Sequence, residues 1–362
     1  MSNANVLGHV VWHELMTTDL ASAGTFYGSI TGWKNQLSPH DPEYRVFTAG
    51  GRSVAGLMIL PEEARQMGAP PNWLTYFATP DVDETVRRTV ALGGRVLVPA
   101  IDVRTVGRFA VLRDPQGAAF AVIALTQPAP VSDERPPVGD FSWHELATTD
   151  SVSAWKFYSE LFGWKATHAM DMGPAGTYQM FGLTARSVGG MFTKPKEMPG
   201  PAAWLPYIRV TDAVQIGGRI AGLGGKVLNG PMEVPDGDWI VTGRDPQGAV
   251  FAAHSVKVVA TPAAKSVTKK PSARKPVAKK PTVAKVAAKK SAVKKAGKKS
   301  AKRATTSAAK KAVKKAVKKV VKKVVKKAAK KTAKKAAKPA SRTGVVRPAR
   351  PKMLAKKAAK KR

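Results

Sequence analysis

Residues 11–34, VWHELMTTDLASAGTFYGSITGWK, return as residues 142–165, SWHELATTDSVSAWKFYSELFGWK. The correspondence continues downstream, with WLTYFATPDV (73–82) against WLPYIRVTDA (204–213) and RDPQGAAF (113–120) against RDPQGAVF (244–251). The chain therefore writes one unit of about 120 residues twice, and this self-similarity governs every later assignment. The units span residues 6–126 and 140–256. Between them, residues 127–139 (QPAPVSDERPPVG) are proline-rich and lack apolar periodicity, as an extended linker does.

Within a unit the pattern changes period along the chain. Residues 9–16 read as a strand, and Asp19 follows as a helix N-cap, its carboxylate placed to accept free backbone N–H groups. The helix runs through Phe26 and Tyr27 and stops near Gly32. Residues 44–48 and 53–60 read as strands around AGGR, where glycine supplies positive φ. The second half begins again with a strand at 73–79, a helix at 82–92, a Gly93-Gly94 stop and strands near 95–98, 109–113 and 118–125. The last two are joined by DPQG, which puts proline and glycine where a β-turn requires them and reads as a turn and nothing more. Each unit is thus two β-α-β-β(-β) modules. This order predicts an α+β fold with helices on the outside of curled mixed sheets.

Charge divides the chain. Of 61 basic and 24 acidic residues, 41 basic and no acidic ones lie from Lys257 onward, which leaves residues 1–256 with 20 basic and 24 acidic side chains, a net charge of −4 with histidines neutral. All six histidines and all eight tryptophans lie in that first part, which is long enough for two domains with their own cores. The absence of cysteine excludes disulfides and thiolate chemistry. No G-x-S-x-G elbow is present, and the glycines of AGLGG are not followed by the Lys-Ser/Thr of a phosphate loop. The N-terminus has no basic segment leading into an apolar one, and nowhere do 18 apolar residues occur in a row, so a cytosolic protein without membrane association is expected.

A strand, an Asp-initiated helix closing on FY and Gly-Trp (TTDLASAGTFYGSITGW), a GG stop after the second helix and a D-P-x-G hairpin together resemble the vicinal oxygen chelate superfamily of glyoxalases, bleomycin-resistance proteins and extradiol dioxygenases. In that superfamily paired βαβββ modules form a cup around a small ligand. The WHEL opening resembles its tandem glyoxalase-like branch, and the resemblance covers residues 6–256. It implies two tandem vicinal-oxygen-chelate domains and brings lyase or dioxygenase activity into scope. Metal-using members place one His on the first strand, seven residues before the capping Asp, another at the start of the second module's strand, and a Glu four residues after the D-P-x-G glycine. Carried over, these positions are Trp12 and Trp143, Leu74 and Leu205, and Ala121 and Ala252. None can donate a lone pair to a metal. No cofactor is therefore expected there; the alternative is a divalent metal at a displaced site built from His13 or Glu14 and from His144 or Glu145.

Neighbouring residues of a strand point to opposite faces. With Trp12 in the cup, Glu14 and Met16 share its face while His13 and Leu15 point towards the helices, and a one-residue error in register would reverse the two sets. The ligand-pocket candidates are Trp12, His13, Glu14 and Tyr76 in the first unit and Trp143, His144, Glu145, Tyr207, Arg209 and His254 in the second. The tryptophans either fill the space of lost ligands or stack on a bound molecule. Each histidine either ties its strand to a helix or acts as a base near neutral pH. A carboxylate facing a cup costs desolvation unless it is paired or serves a ligand. The tyrosines pack the rim with a hydroxyl available.

Residues 257–362 collapse in composition to Lys, Ala, Val, Pro, Ser and Thr without an aromatic residue, and an x-x-K-K period fills residues 310–338. Such a segment cannot bury a core and is expected to be disordered in isolation. Its composition resembles the Lys/Ala/Pro-rich tails of linker histones and of bacterial nucleoid-associated proteins. Counterion release implies sequence-independent, salt-sensitive binding to nucleic acid, with Lys310, Lys311, Lys314, Lys315, Lys318, Lys319, Lys322 and Lys323 among the contacts. No base-reading module accompanies them. The scattered valines make no apolar face for a membrane. The first expectation is a cytoplasmic, nucleoid-associated protein whose body binds a small molecule. The rivals are a metal-dependent lyase or oxygenase with displaced ligands, and a nucleoid protein whose body is only a platform.

Overall fold

The computed structural model describes residues 6–257 apart from 39–40, 42, 105 and 128–133. The middle of the linker and the tail from 258 onward, including the eight lysines from Lys310 to Lys323, lie outside the described residues. In the first repeat the elements are β1 (Val10–Thr17), α1 (Leu20–Thr31), β2 (Lys34–Leu37), β3 (Arg45–Ala49), β4 (Arg52–Ile59), α2 (Glu62–Gln66), β5 (Asn72–Ala78), α3 (Val82–Ala91), β6 (Arg95–Val103), β7 (Gly107–Arg113) and β8 (Ala119–Leu125). The second repeat gives β9 (Phe141–Thr148), α4 (Ser151–Phe162), β10 (Lys165–Asp171), β11 (Thr177–Gly182), β12 (Gly189–Thr193), β13 (Ala203–Arg209), α5 (Ala213–Ile220), β14 (Lys226–Glu233), β15 (Trp239–Arg244) and β16 (Val250–Ser255).

Each repeat folds into one eight-stranded mixed sheet, ordered β2-β3-β4-β1-β5-β8-β7-β6 and β10-β11-β12-β9-β13-β16-β15-β14, so the architecture is α+β. The first strands of the two modules, β1 and β5, meet antiparallel at the middle of the sheet, and each pairs on its other side with a parallel strand of its own module. Aspartate opens all four main helices. Asp19, Asp81, Asp150 and Asp212 each accept a backbone N–H of the first turn, which satisfies donors that no helix can satisfy internally. The β2 strand and the short α2 are additions to the sequence-derived order. As an edge strand of mostly exposed residues, β2 has no apolar alternation to reveal it.

One sequence expectation needs correction and another needs extending. The helices lie on the sheet faces away from the cups, and the helix-bearing faces of the two sheets share their cores. One core joins Leu15, Phe26, Tyr27 and Trp33 to Ile208, Ile216, Val241 and Phe251; the other joins Phe77, Leu112 and Phe120 to Phe157, Tyr158, Trp164 and Phe181. A helix with an apolar stripe must cover it, and here each repeat covers the other's.

DPQG, moreover, is more than a turn. Its aspartates Asp114 and Asp245 are buried, each accepting backbone N–H groups of its own turn and a tyrosine hydroxyl from the opposite repeat. Tyr27 donates to Asp245 at 3.1 Å and Tyr158 to Asp114 at 3.0 Å, while Trp73 and Trp204 donate to those same hydroxyls at 3.0 Å. The helix-closing tryptophans exchange in the same way. Trp33 donates to the Gly139 carbonyl at 2.8 Å and Trp164 to the Gly8 carbonyl at 3.0 Å. Burial makes these polar groups depend on protein partners, and each network includes one bond across the seam.

Candidate functional site

The register of the central strands decides which side chains reach the cup. Trp12 lies opposite Tyr76, which lies opposite Ala121, and Glu14 lies opposite Leu74 on one side and Gly56 on the other. Trp12, Leu74, Tyr76, Ala121 and Ile123 form one apolar cluster on the cup face, joined by Met16 and Phe109. His13 and Leu15 point the opposite way, into the shared core.

On the cup face the polar groups form one cluster per repeat. Tyr76 donates its hydroxyl to Glu14 Oε2 at 2.8 Å, and Trp12 donates its indole N–H to the Tyr44 hydroxyl at 3.1 Å. Tyr44 in turn hydrogen-bonds Glu14. In the second repeat Trp143 donates to the Tyr178 hydroxyl at 2.8 Å, Tyr178 donates to Glu145 Oε2 at 3.0 Å, and Tyr207 also bonds Glu145. Glycine faces each carboxylate for a steric reason. A Cβ on Gly56 would overlap the Tyr44 hydroxyl, and one on Gly190 would overlap the Tyr178 ring. Without a side chain there, the tyrosine lies down over the strand and reaches the glutamate.

Burial pushes the Glu14 and Glu145 carboxyls above the usual glutamate range, with the tyrosine hydrogen bonds only partly offsetting the desolvation. The same burial, reinforced by the neighbouring carboxylate, holds all four tyrosines above their ordinary values. A carboxyl in this setting can accept a hydrogen bond when ionised and donate one when protonated. Either form suits a hydroxyl or carbonyl group on a ligand.

Tyr44 and Tyr178 were not among the sequence candidates. They are separated by 134 residues while the surrounding motifs repeat at 131, because the segment before the third strand is three residues longer in the second copy. The available signal is the recurrence of Tyr-x-x-Phe, Tyr44 with Phe47 and Tyr178 with Phe181, together with Gly56 and Gly190 at the same shifted offset.

His13 and His144 stand apart from both cups. His13 Nε2 lies 3.0 Å from His144 Nε2, the His13 ring stacks on Phe141 at 3.7 Å, and His144 Nδ1 lies 3.1 Å from the Val188 carbonyl. That carbonyl can only accept, so His144 Nδ1 carries the proton and its Nε2 receives one from His13. Desolvation lowers both, His144 to about 4, so the pair is neutral at physiological pH. Arg209 and His254 face each other across β13 and β16 on the second cup's side only. His254 bonds Ser142 and Asp238, and an Arg209 N–H is donated to the Pro136 carbonyl.

These residues do not fit the superfamily's metal. The carried-over positions present an indole, an isobutyl group and a methyl, and among the described residues no three His, Asp or Glu side chains converge as a metal would require. His13 lies on the face opposite Glu14, so the two cannot share an ion in this register.

A family model for the glyoxalase-like domain matches residues 10–123. The chain is 34% identical over 248 residues to "Putative glyoxylase CFP32" of Mycobacterium tuberculosis, covering 67% of this chain and 92% of that protein. It is 31% identical over 265 residues to the anthracycline biosynthesis protein DauV of Streptomyces sp. strain C5, covering 68% and 92%. Among solved structures, 2,2',3-trihydroxybiphenyl 1,2-dioxygenase of Sphingomonas wittichii shares the fold at a TM-score of 0.52 with 10% identity, covering 69% of this chain and 91% of that one. The 2,3-dioxygenase LapB of Pseudomonas sp. KL28 does so at 0.50 with 13% identity, covering 69% and 93%. Among the described residues no helix is long and apolar enough to cross a membrane.

Proposed function

The chain belongs to the glyoxalase-like family of the vicinal oxygen chelate superfamily, and from that premise we propose that it is a small-molecule-binding protein whose cups work without the superfamily metal. One observation carries the reading: where metal ligands would converge, each cup holds a glutamate bonded to two tyrosines and, through one of them, to a tryptophan. Partly exposed apolar and aromatic side chains surround that carboxyl, which favours a flat, largely apolar ligand with one hydroxyl or carbonyl group. Two relatives named for anthracycline biosynthesis keep polycyclic aromatic compounds in scope. The basic tail adds a second role, non-specific attachment to nucleic acid and through it to the nucleoid, supported by its 41 basic residues without an acidic one.

The deciding experiment is elemental analysis of the purified full-length protein, with thermal melting before and after chelation. Much less than one transition metal per chain and an unchanged melting temperature are expected. A tightly held stoichiometric ion would instead promote the metal-dependent lyase or oxygenase. For the tail, about ten phosphate contacts would give log K a slope near −9 against log salt, read by titrating full-length protein and a variant ending at residue 257 into duplex DNA. Equal binding by the two would transfer DNA recognition to the folded body.

A further inference from the structure

The second cup carries a group of polar residues that the small-molecule reading does not use. Ser142 Oγ lies 2.8 Å from His254 Nδ1, and His254 Nε2 lies 3.0 Å from Asp238 Oδ2. The other oxygen of Asp238 accepts the Lys257 backbone N–H at 2.9 Å, which fixes the carboxylate's orientation. Two strands and the turn before a third supply the three side chains: Ser142 sits at the register shift where β9 meets β13, His254 is on β16, and Asp238 immediately precedes β15. The His254 and Asp238 side chains are each 16% exposed, which keeps them within reach of a small reagent.

The hydrogen-bond pattern fixes the direction of the protons. Although desolvation opposes ionisation of Asp238, the Lys257 N–H and His254 together hold it below the usual aspartate range, so it only accepts. His254 must then donate from Nε2. In its neutral form the ring leaves Nδ1 with a bare lone pair, and Ser142, whose Oγ also lies 3.5 Å from the Tyr207 carbonyl, donates its O–H to the nearer nitrogen at 2.8 Å. A hydroxyl, a base that accepts its proton and a carboxylate that orients the base are the three parts of an activated nucleophile, recognised by geometry and roles and independent of fold. Arg209, directly across from His254 in the β13–β16 register, has a buried Nε–H without an acceptor among the described residues.

We propose that Ser142, His254 and Asp238 form a nucleophile, base and orienting carboxylate in the second cup that take an acyl group from an activated ester and pass it to water. As Ser142 Oγ bonds to the ester carbonyl, its proton moves to His254 Nδ1. The carbon–oxygen bond to the leaving group breaks, and the alcohol departs with that proton. Water then attacks the Ser142 ester, giving one proton to Nδ1; the carboxylic acid leaves and the serine oxygen recovers its hydrogen. No redox partner is needed.

The first repeat makes the assignment sharper. At the positions 131 residues earlier stand Val11, Ile123, Gly107 and, for Arg209, Ala78, so the first cup lacks every part of the group while sharing the fold. A strut needed by the architecture would recur in both copies.

The test uses the full-length protein with a fluorophosphonate, which forms an O–P bond to an activated serine as the P–F bond breaks, and with p-nitrophenyl acetate. The expected result is a single adduct mapped to Ser142 by peptide mass spectrometry and a burst of nitrophenolate close to one per chain. Ser142→Ala should abolish both, and His254→Asn should slow labelling by on the order of 100-fold, the usual contribution of a positioned base. Thermal melting of each variant verifies that it is folded. No adduct at Ser142 in folded wild-type protein, or undiminished labelling of folded Ser142→Ala, would overturn the proposal and leave the group as a clasp holding Lys257 to β16. The first-cup and second-cup glutamates are not touched, so the outcome is independent of the metal analysis.

Discussion

Positions 11, 78, 107 and 123 of the first repeat hold valine, alanine, glycine and isoleucine; the matching positions of the second hold Ser142, Arg209, Asp238 and His254. Glu14 is 8% exposed, whereas Glu145, with the same two kinds of partner, is half-buried. Elsewhere the two halves agree closely, down to the four aspartate N-caps and the exchanged tyrosines and tryptophans. What recurs is what any copy needs in order to fold and to cover its twin. Apart from loop insertions and the short α2, one group of departures gathers in one cup, and it departs from apolar to polar, which costs desolvation and therefore calls for a use.

The largest expected effect lies at the seam, where the comparison predicts equality. The histidine pair is neutral when folded, while histidine in the unfolded chain titrates near its ordinary value, so the unfolded state binds more protons as pH falls below about 6.5. Stability present above that pH should be lost progressively towards pH 4, by about 3 kcal/mol from His144 alone given its fall from 6.5 to about 4. Denaturant unfolding as a function of pH measures it. His144→Gln should flatten that acid limb; an unchanged limb would place the acid sensitivity elsewhere.

Next come the exchanged tyrosines. Tyr27→Phe and Tyr158→Phe each leave a buried aspartate one donor short, which for a charged acceptor costs about 1.5–3 kcal/mol. The two costs should match. A mismatch in melting temperature would show that the repeats do not bear equally on one another.

How far this was legible follows from where the signals lie. The strand–helix–strand order could be read because helix caps, apolar period and turn glycines are local, and the repeat supplied a second copy of each. The exchange across the seam could not. Tyr27 and Asp245 are 218 residues apart, and a Phe-Tyr helix end or a DPQG turn is locally complete without a partner. The alternation of β1 separates His13 from Glu14 in sequence, but Tyr44 escaped because an insertion broke the constant offset. Ser142 escaped because a serine before a tryptophan has no signature until strands bring His254 and Asp238 beside it.

Packing beneath the cup clusters gives an intermediate effect. Gly56→Ala and Gly190→Ala should each displace a tyrosine from its glutamate and cost about 1–3 kcal/mol, as overpacking does. Tryptophan emission should change too, since Trp12 and Trp143 lose the hydroxyl that their indoles bond. Melting without a fluorescence change would mean that the strand had moved and the tyrosine had not.

The smallest effect distinguishes the two cups most directly. Each glutamate has a folded pKa raised by burial, so over the window from its ordinary value up to the raised one the folded state holds a proton that the unfolded chain has released. Stability from these groups is complete below that window and declines as pH rises through it. Glutamine cannot titrate, and its amide can still accept from one tyrosine while donating to the other's oxygen. Glu14→Gln should therefore leave the fold intact, remove that decline, and make the protein more stable at pH 8 by up to about 1 kcal/mol. Glu145→Gln, in the more open cup, should give a smaller gain of the same sign. Unfolding curves at pH 5 and pH 8 for both variants decide it. A net loss at pH 8 in Glu14→Gln would mean that the tyrosine hydrogen bonds hold the Glu14 carboxylate more strongly than burial opposes it.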